Sequence, residues 1–294
     1  MQEFTFHRAK TVEEVLEMLE TSGEAIKLVA GGTDVMITLR NEELPAKVNT
    51  VLDISAVPEL GYVKHEQGNG SPAGTLRIGA ATPLRDIAAD KLVKENIQVL
   101  HHAADSVGSQ QIRSRATMGG NIITAAQCAD TIPALLVLDA VLVLRTKGGV
   151  REVPIHEFFT GPKKTAIKPN ELLTEIYFPV PGPNARGIFE KLIRRAAVAK
   201  SRLTACAIAE QDSGRIITDL RLTVGSTLPC HARFTPVEDM LKGQKATMEL
   251  IERAAQAAGD HIVEVGGRRW STDYKKPVTE RLTARCLKAV LEVE

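Results

Sequence analysis

Val29-Ala30-Gly31-Gly32-Thr33-Asp34-Val35 follows directly on an apolar run that begins at Ile26, and a second double glycine recurs in Thr117-Met118-Gly119-Gly120-Asn121-Ile122. The first stretch reads as a strand, then a glycine turn, then a loop whose main chain is free of Cβ atoms. A double glycine beside Thr or Asn lets a phosphate approach the backbone, and successive N–H groups there can converge on an anion. Either motif alone reads equally well as an ordinary turn. The standard nucleotide signatures, GxGxxG and GxxxxGK followed by Ser or Thr, occur nowhere in the chain. A Rossmann or P-loop reading therefore loses its main support.

Around the first motif, Thr11 is placed to cap a helix and Glu14 to reach back as a capping box, with Val12, Val15, Leu16 and Leu19 on one helical face. A β-like run from Lys47 to Ile54 completes a small α/β unit, residues 1–57. Leu76 to Gly79 reads as a second unit's strand, and Pro83 as the first position of a helix from Leu84 to Lys94. Helical Asn96 to Asp105 and the apolar run Ala140 to Leu144 extend this α/β unit over residues 58–178.

Phe178 to Asn184 packs three prolines and a glycine into seven residues, which interrupts helix and strand alike. Beyond it, strand-like Ala205 to Glu210 and Ile216 to Val224 precede helical Thr247 to Ala258 and Val278 to Val290. Val278, Leu282, Cys286, Ala289 and Val290 share a stripe on the last helix. Strands followed by helices predict an α+β unit over residues 179–294.

The composition narrows the function classes. With 294 residues, 44% apolar and 25% charged, the chain is an ordinary globular sequence able to bury a large core. Its 37 Lys and Arg against 36 Asp and Glu give no basic excess for nucleic acid, and 4% aromatic residues supply no stacking platform. Cys128, Cys206, Cys230 and Cys286 are dispersed, without the clustered spacing of a zinc ribbon or iron–sulfur site. Adjacent His101 and His102 point about 100° apart on a helix, a poor chelate. The start lacks the apolar core of a signal peptide and no run reaches the roughly 20 apolar residues of a membrane span. We expect a cytoplasmic location, with no membrane and no nucleic-acid partner.

Taken together, the two motifs resemble those of one family. AGGTD followed by QIRSRATMGGNI is similar to the FAD-binding subunit of the molybdenum hydroxylases, the xanthine dehydrogenase and carbon monoxide dehydrogenase group. The resemblance runs on through Leu76 to Leu84, Ala129 to Leu136, Glu171 to Ile176 with Pro179, the Phe189, Lys191 and Arg195 segment, and Gly225 with Pro229. It covers nearly the whole chain in order. It implies an α+β fold in which a two-part PCMH or vanillyl-alcohol-oxidase type FAD-binding region is followed by a carbon monoxide dehydrogenase flavoprotein C-terminal-like domain.

Carried over residue by residue, the resemblance implies that Val29, Ala30, Gly31, Gly32, Thr33, Asp34, Val35 and Met36 wrap the FAD pyrophosphate. Thr117, Gly119, Gly120 and Asn121 would form a second phosphate clamp, with Ile112 lying against the cofactor. Asp130 matches a carboxylate on the adenosine side, helix capping being its alternative. Leu173 and Lys191 match positions at the far end of the site, Lys191 having a surface cation as its alternative. Cys128 lies beside Asp130 and reads as packing or as a cofactor neighbour. One departure is Ala199, where the family often has Asp.

The resemblance further implies an oxidoreductase subunit. Electrons would arrive from 2Fe-2S clusters on a small partner chain, after oxidation of substrate at a molybdopterin cofactor on a large one. FAD on this chain would pass them to NAD or another acceptor, within a dimer of heterotrimers. Xanthine or another purine is the first expectation for substrate. Carbon monoxide, nicotinate and aldehyde dehydrogenases, and a standalone FAD oxidase, are the alternatives.

Overall fold

The computed structural model describes residues 3–68, 73–195 and 198–293. The first unit is a small parallel sheet with one helix against it. β1 (Thr5–Arg8), α1 (Val12–Ser22), β2 (Ile26–Val29), α2 (Val35–Arg40) and β3 (Thr50–Asp53) follow in order, and the sheet runs β1-β3-β2. The apolar stripe of α1, Val12, Val15, Leu16 and Leu19, packs with Leu52 and Ile54. Thr11 caps α1 by accepting from Glu14 N at 3.2 Å. The expected capping box is displaced, because the Glu14 carboxylate accepts from Lys10 N at 2.7 Å and pairs with His7 instead.

The second unit is built on a five-stranded antiparallel sheet. Its first edge is β4 (Val63–Glu66) and β5 (Thr75–Gly79). A layer of short helices follows: α3 (Leu84–Ala89), α4 (Lys91–Asn96), α5 (Gln98–Asp105), α6 (Gln110–Arg113), α7 (Met118–Thr124) and α8 (Thr131–Val137). Then come β6 (Val141–Thr146), β7 (Gly149–Pro154), a single turn α9 (Ile155–Phe158), a small hairpin of β8 (Phe159–Gly161) and β9 (Lys164–Thr165), and β10 (Leu172–Pro179). The sheet order β4-β5-β10-β6-β7 places the last strand at its centre.

Two helix starts differ from the sequence reading. The stretch Leu84 to Lys94 breaks at Asp90, whose side chain accepts from Val93 N at 3.0 Å and so caps a new helix. Pro83 stands at the N-cap, not inside the helix, and pairs with Thr117 as an isolated β-bridge.

After the proline-rich segment come β11 (Arg186–Leu192), β12 (Leu203–Gln211) and β13 (Ile217–Gly225), an antiparallel sheet in that order. It is covered by α10 (Thr235–Leu241), α11 (Met248–Gly266) and α12 (Thr272–Leu291). On α12, Leu282, Cys286 and Val290 are buried as the stripe predicts, but Ala289 is exposed and Leu287 and Thr283 take its place in the interior. The turn of the helix carries Ala289 past the sheet, since 3.6 residues per turn drift across a straight seam.

Strand β12 joins the units. Leu203, Ala205, Ala207 and Ala209 enter the core under the C-terminal helices, whereas Cys206 and Ile208 enter the core of the second unit. Side chains that alternate across a strand buried on both sides favour apolar residues on both faces, which explains the ACAIA run from Ala205 to Ala209. Arg221 and Arg233 clamp the same junction by pairing with Asp139 in the turn before β6. No helix among the described residues is long and apolar enough to cross a membrane.

Candidate functional site

β2 delivers the first glycine motif to the edge of its sheet, where Ile54 N donates to Val29 O at 2.9 Å and the ladder ends. The chain then leaves through Gly32, whose φ of +73° is the left-handed region that an L side chain rarely adopts. Met36 N closes onto Gly32 O at 3.0 Å and begins α2. In between, the backbone N–H groups of Gly31, Gly32, Thr33 and Asp34 find no acceptor among the described residues. Successive and unpaired, with Gly31 to Thr33 half-buried, they have the form of an anion nest.

The second motif is held differently. Thr117 caps α7 by accepting from Gly120 N at 3.1 Å, and Asn121 N donates to Thr117 O at 3.0 Å. Met118 N donates to Thr82 O at 3.1 Å and Gly119 N to Ala80 O at 2.8 Å, while Leu84 N returns to Ala116 O at 2.9 Å. Residues 116–119 are thereby zipped to residues 80–84. The N–H groups of Met118, Gly119, Gly120 and Asn121 are thus used inside the protein, which leaves side chains and open space on this lip of the cleft. Asn121 Oδ1 accepts from Thr131 Oγ1 at 2.7 Å, which turns its amide nitrogen to the unpartnered side.

The four glycines therefore divide. A Cβ on Gly31 would lie 1.8 Å from the Arg115 carbonyl oxygen, and one on Gly119 would lie 2.7 Å from the Ala80 carbonyl oxygen. Both are small because protein backbone passes there. Gly120 is exposed, and a Cβ on it would meet only Thr117 Oγ1, at 2.9 Å. Gly120 is thus the glycine that keeps space open for another molecule.

The two motifs face each other across a cleft of about 930 Å³. Ala30 to Val35 form one lip, and Thr117, Gly119, Gly120 and Asn121 the other. Leu173 stands in the wall, beside Leu172, Ile54, Leu28 and Ile167, which the sequence reading did not single out. At Asp34 and Thr124 this cleft opens into a second, wider one of about 2380 Å³, bounded by α2, residues 192–194 and 200–202, and the start of α12.

Five of the expected residues lie outside the first cleft. Val29 is the last residue of β2, and Met36 and Ile112 are exposed large side chains. Asp130 and Lys191 are bonded to each other, Nζ to Oδ2 at 2.7 Å, with side chains 7% and 10% exposed. Lys191 also donates to Ser106 O at 2.7 Å, and Ser201 Oγ donates to the other Asp130 oxygen. The alternatives for both residues fail: Asp130 makes no side-chain cap to α8, and Lys191 is not a surface cation. Burial pushes the Asp130 carboxyl above its ordinary value, against the pull of Lys191 and Ser201. Cys128 is half-buried on the second cleft, and Ala199, next to the lining residue Lys200, is also half-buried. His101 bonds the Ala88 carbonyl through Nδ1 at 2.9 Å, and His102 is exposed.

A cleft with four free N–H groups on one lip, an open glycine on the other and an apolar wall suits a molecule with a diphosphate and a flat, apolar end. FAD fits those residues. Comparison with known proteins gives the same class. Residues 2–181 match the profile described as the FAD binding domain in molybdopterin dehydrogenase, and residues 188–290 that of the CO dehydrogenase flavoprotein C-terminal domain. The glyceraldehyde dehydrogenase medium chain of Sulfolobus acidocaldarius is 31% identical over 98% of this chain and 98% of its own. A putative xanthine dehydrogenase FAD-binding subunit of Escherichia coli is 29% identical over 96% of this chain and 94% of its own. Carbon monoxide dehydrogenase of Hydrogenophaga pseudoflava superposes with a TM-score of 0.89 at 26% identity, covering 99% of this chain and 98% of that one. With most of its length matched by the first profile and the remainder by the second, this chain belongs to the FAD-binding subunits of the molybdenum hydroxylases.

Proposed function

We propose that this chain holds FAD with its pyrophosphate on the nest formed by residues 31–34, opposite Thr117, Gly120 and Asn121. The four unpaired N–H groups carry this reading. When bound, FAD accepts electrons singly or in pairs and hands them on as a pair. The protein's own part is to bind and orient. Gly31 to Asp34 supply donors, Gly120 supplies room, and Leu172, Leu173, Ile54 and Leu28 exclude water from one arm of the molecule. Leu192, Ile193 and Cys128 of the second cleft, which adjoins the first at Asp34 and Thr124, would hold the rest of the molecule.

In this reading the electrons come from 2Fe-2S clusters on a small partner, and substrate is oxidised on a large molybdopterin-bearing partner. The medium-chain and subunit names of the relatives support that division. A purine, xanthine first, is our reading for substrate, supported by the putative xanthine dehydrogenase FAD-binding subunit among the relatives. An aldehyde is the second reading, on the glyceraldehyde dehydrogenase relative. The acceptor is a pyridine nucleotide.

The test is a visible spectrum of the purified chain after incubation with FAD and gel filtration. We expect flavin bands at one FAD per chain. A colourless chain would refute the reading. Purification from the native source, followed by assay with xanthine and with glyceraldehyde, then separates the two substrate readings.

A further inference from the structure

The second cleft carries more positive charge than one FAD requires. Lys163, Arg194, Lys200, Arg202 and Lys275 line it, against the single carboxylate of Asp34. Four of these cations, Lys163, Arg194, Lys200 and Arg202, have no side-chain hydrogen bond or ion pair among the described residues. Lys275 donates only to the Ser226 carbonyl, at 2.5 Å. Some cations elsewhere are bonded across elements, as Arg77 is to Glu66 and Glu175 and Arg151 to Glu171. Unpaired cations gathered in one concavity concentrate field and draw an anion from solution. At the rim stand Trp270, 95% exposed, and Tyr274, 48% exposed, a flat apolar pair with nothing packed over the indole.

The diphosphate of FAD is already provided for by the 31–34 nest on the other side of Asp34. The cations are left for a second molecule that enters the same groove. We infer that this basic lobe binds the electron acceptor, and that the acceptor is the 2′-phosphorylated pyridine dinucleotide, NADP, in preference to NAD. The inference rests on the FAD reading above. A pyridine dinucleotide presents two flat rings, suited to Trp270 and Tyr274, and a diphosphate. The 2′-phosphate adds about −1.5 to −2 of charge, which five cations against one carboxylate can neutralise. A neutral quinone or oxygen would gain nothing from that charge. In the transfer the nicotinamide ring takes up a hydride, the reduced flavin is reoxidised and one proton goes to solvent.

The chain has a single tryptophan, so Trp270 fluorescence reports the rim directly. The FAD-loaded full chain is titrated with NADP⁺ and with NAD⁺, and flavin absorbance is read on the same sample. We expect saturable quenching, with NADP⁺ bound at least about tenfold more tightly than NAD⁺. K200E/R202E should keep its flavin and bind NADP⁺ at least about tenfold more weakly, each lost charge contact being of that order. Calorimetry of W270F should show NADP⁺ binding retained but weakened. Equal affinity for the two nucleotides, or an unchanged K200E/R202E, would overturn the inference while a yellow protein leaves the FAD reading standing. A colourless wild-type chain would instead remove the FAD reading.

Discussion

Gly31 lies so close to Arg115 that a methyl group on it would stand 1.8 Å from the Arg115 carbonyl oxygen. This contact seats the first glycine motif on the segment leading into the second, and it sets the width of the cleft between them. Gly31→Ala should therefore fail through packing, not through lost cofactor contact. We expect a destabilisation of at least about 3 kcal/mol, because backbone and not a flexible side chain must move. Urea unfolding of the FAD-free chain checks it; unchanged stability would show that the two segments do not meet this closely.

Gly120→Val should behave in the opposite way. Its added atoms point into the open cleft and disturb only the Thr117 cap, which is worth about 1 kcal/mol. The variant should fold and lose flavin. Normal FAD content would place the phosphates elsewhere. Gly32→Val should also lose flavin, but with an added cost of about 1–2 kcal/mol from its positive φ.

Lys191→Met leaves Asp130 buried with only Ser201 for a partner. A buried charge stripped of its counterion costs about 3–5 kcal/mol. Asp130→Asn combined with Lys191→Met should recover a good part of that loss, because no charge is then left inside. Thermal or urea unfolding of the single and double variants measures the coupling, and simple additivity would refute it.

Glu171 opens the central strand of the five-stranded sheet, just before the cleft wall. Burial works to raise its carboxyl, but Arg151, bonded at 2.6 and 2.9 Å, and Lys168 N at 2.8 Å outweigh it and hold it below the ordinary value of 4.5. A depressed folded value means that its contribution is present above the unfolded value and is lost as pH falls through the folded one. Glu171→Gln should thus be about 1–3 kcal/mol less stable than wild type at neutral pH. The gap should narrow below about pH 4.5. A gap independent of pH would exclude the ion pair as its source.

Much of this was legible in the sequence where one residue type has one local use. Thr11 caps its helix as read, because a side-chain oxygen can satisfy an orphan N–H, whereas the caps at Thr117 and Thr247 came only with the structure. The Val12, Val15, Leu16, Leu19 stripe is buried because its period is that of a helix. Asp90 was missed because an Asp inside an apparently helical stretch reads either as a surface residue or as a new cap, and only the direction of the next helix decides. Asp130 and Lys191 were placed beside the cofactor by resemblance; sixty-one residues separate them, and no local pattern shows that they pair.

The sequence alone determined the main helices and buried strands, the two glycine loops and the family to which they belong, since each rests on short-range geometry or on residue order. Tertiary structure decided what the glycines are for. Gly31 and Gly119 look the same as Gly32 and Gly120 on paper, but a Cβ is forbidden at the first two by protein backbone arriving from distant segments. It also decided which N–H groups remain free. The donors of residues 118–121 are spent on Thr117 and on residues 80 and 82, whereas those of residues 31–34 face open space. Such contacts depend on where residues far apart in the chain come together, which the order of residues along one segment does not contain.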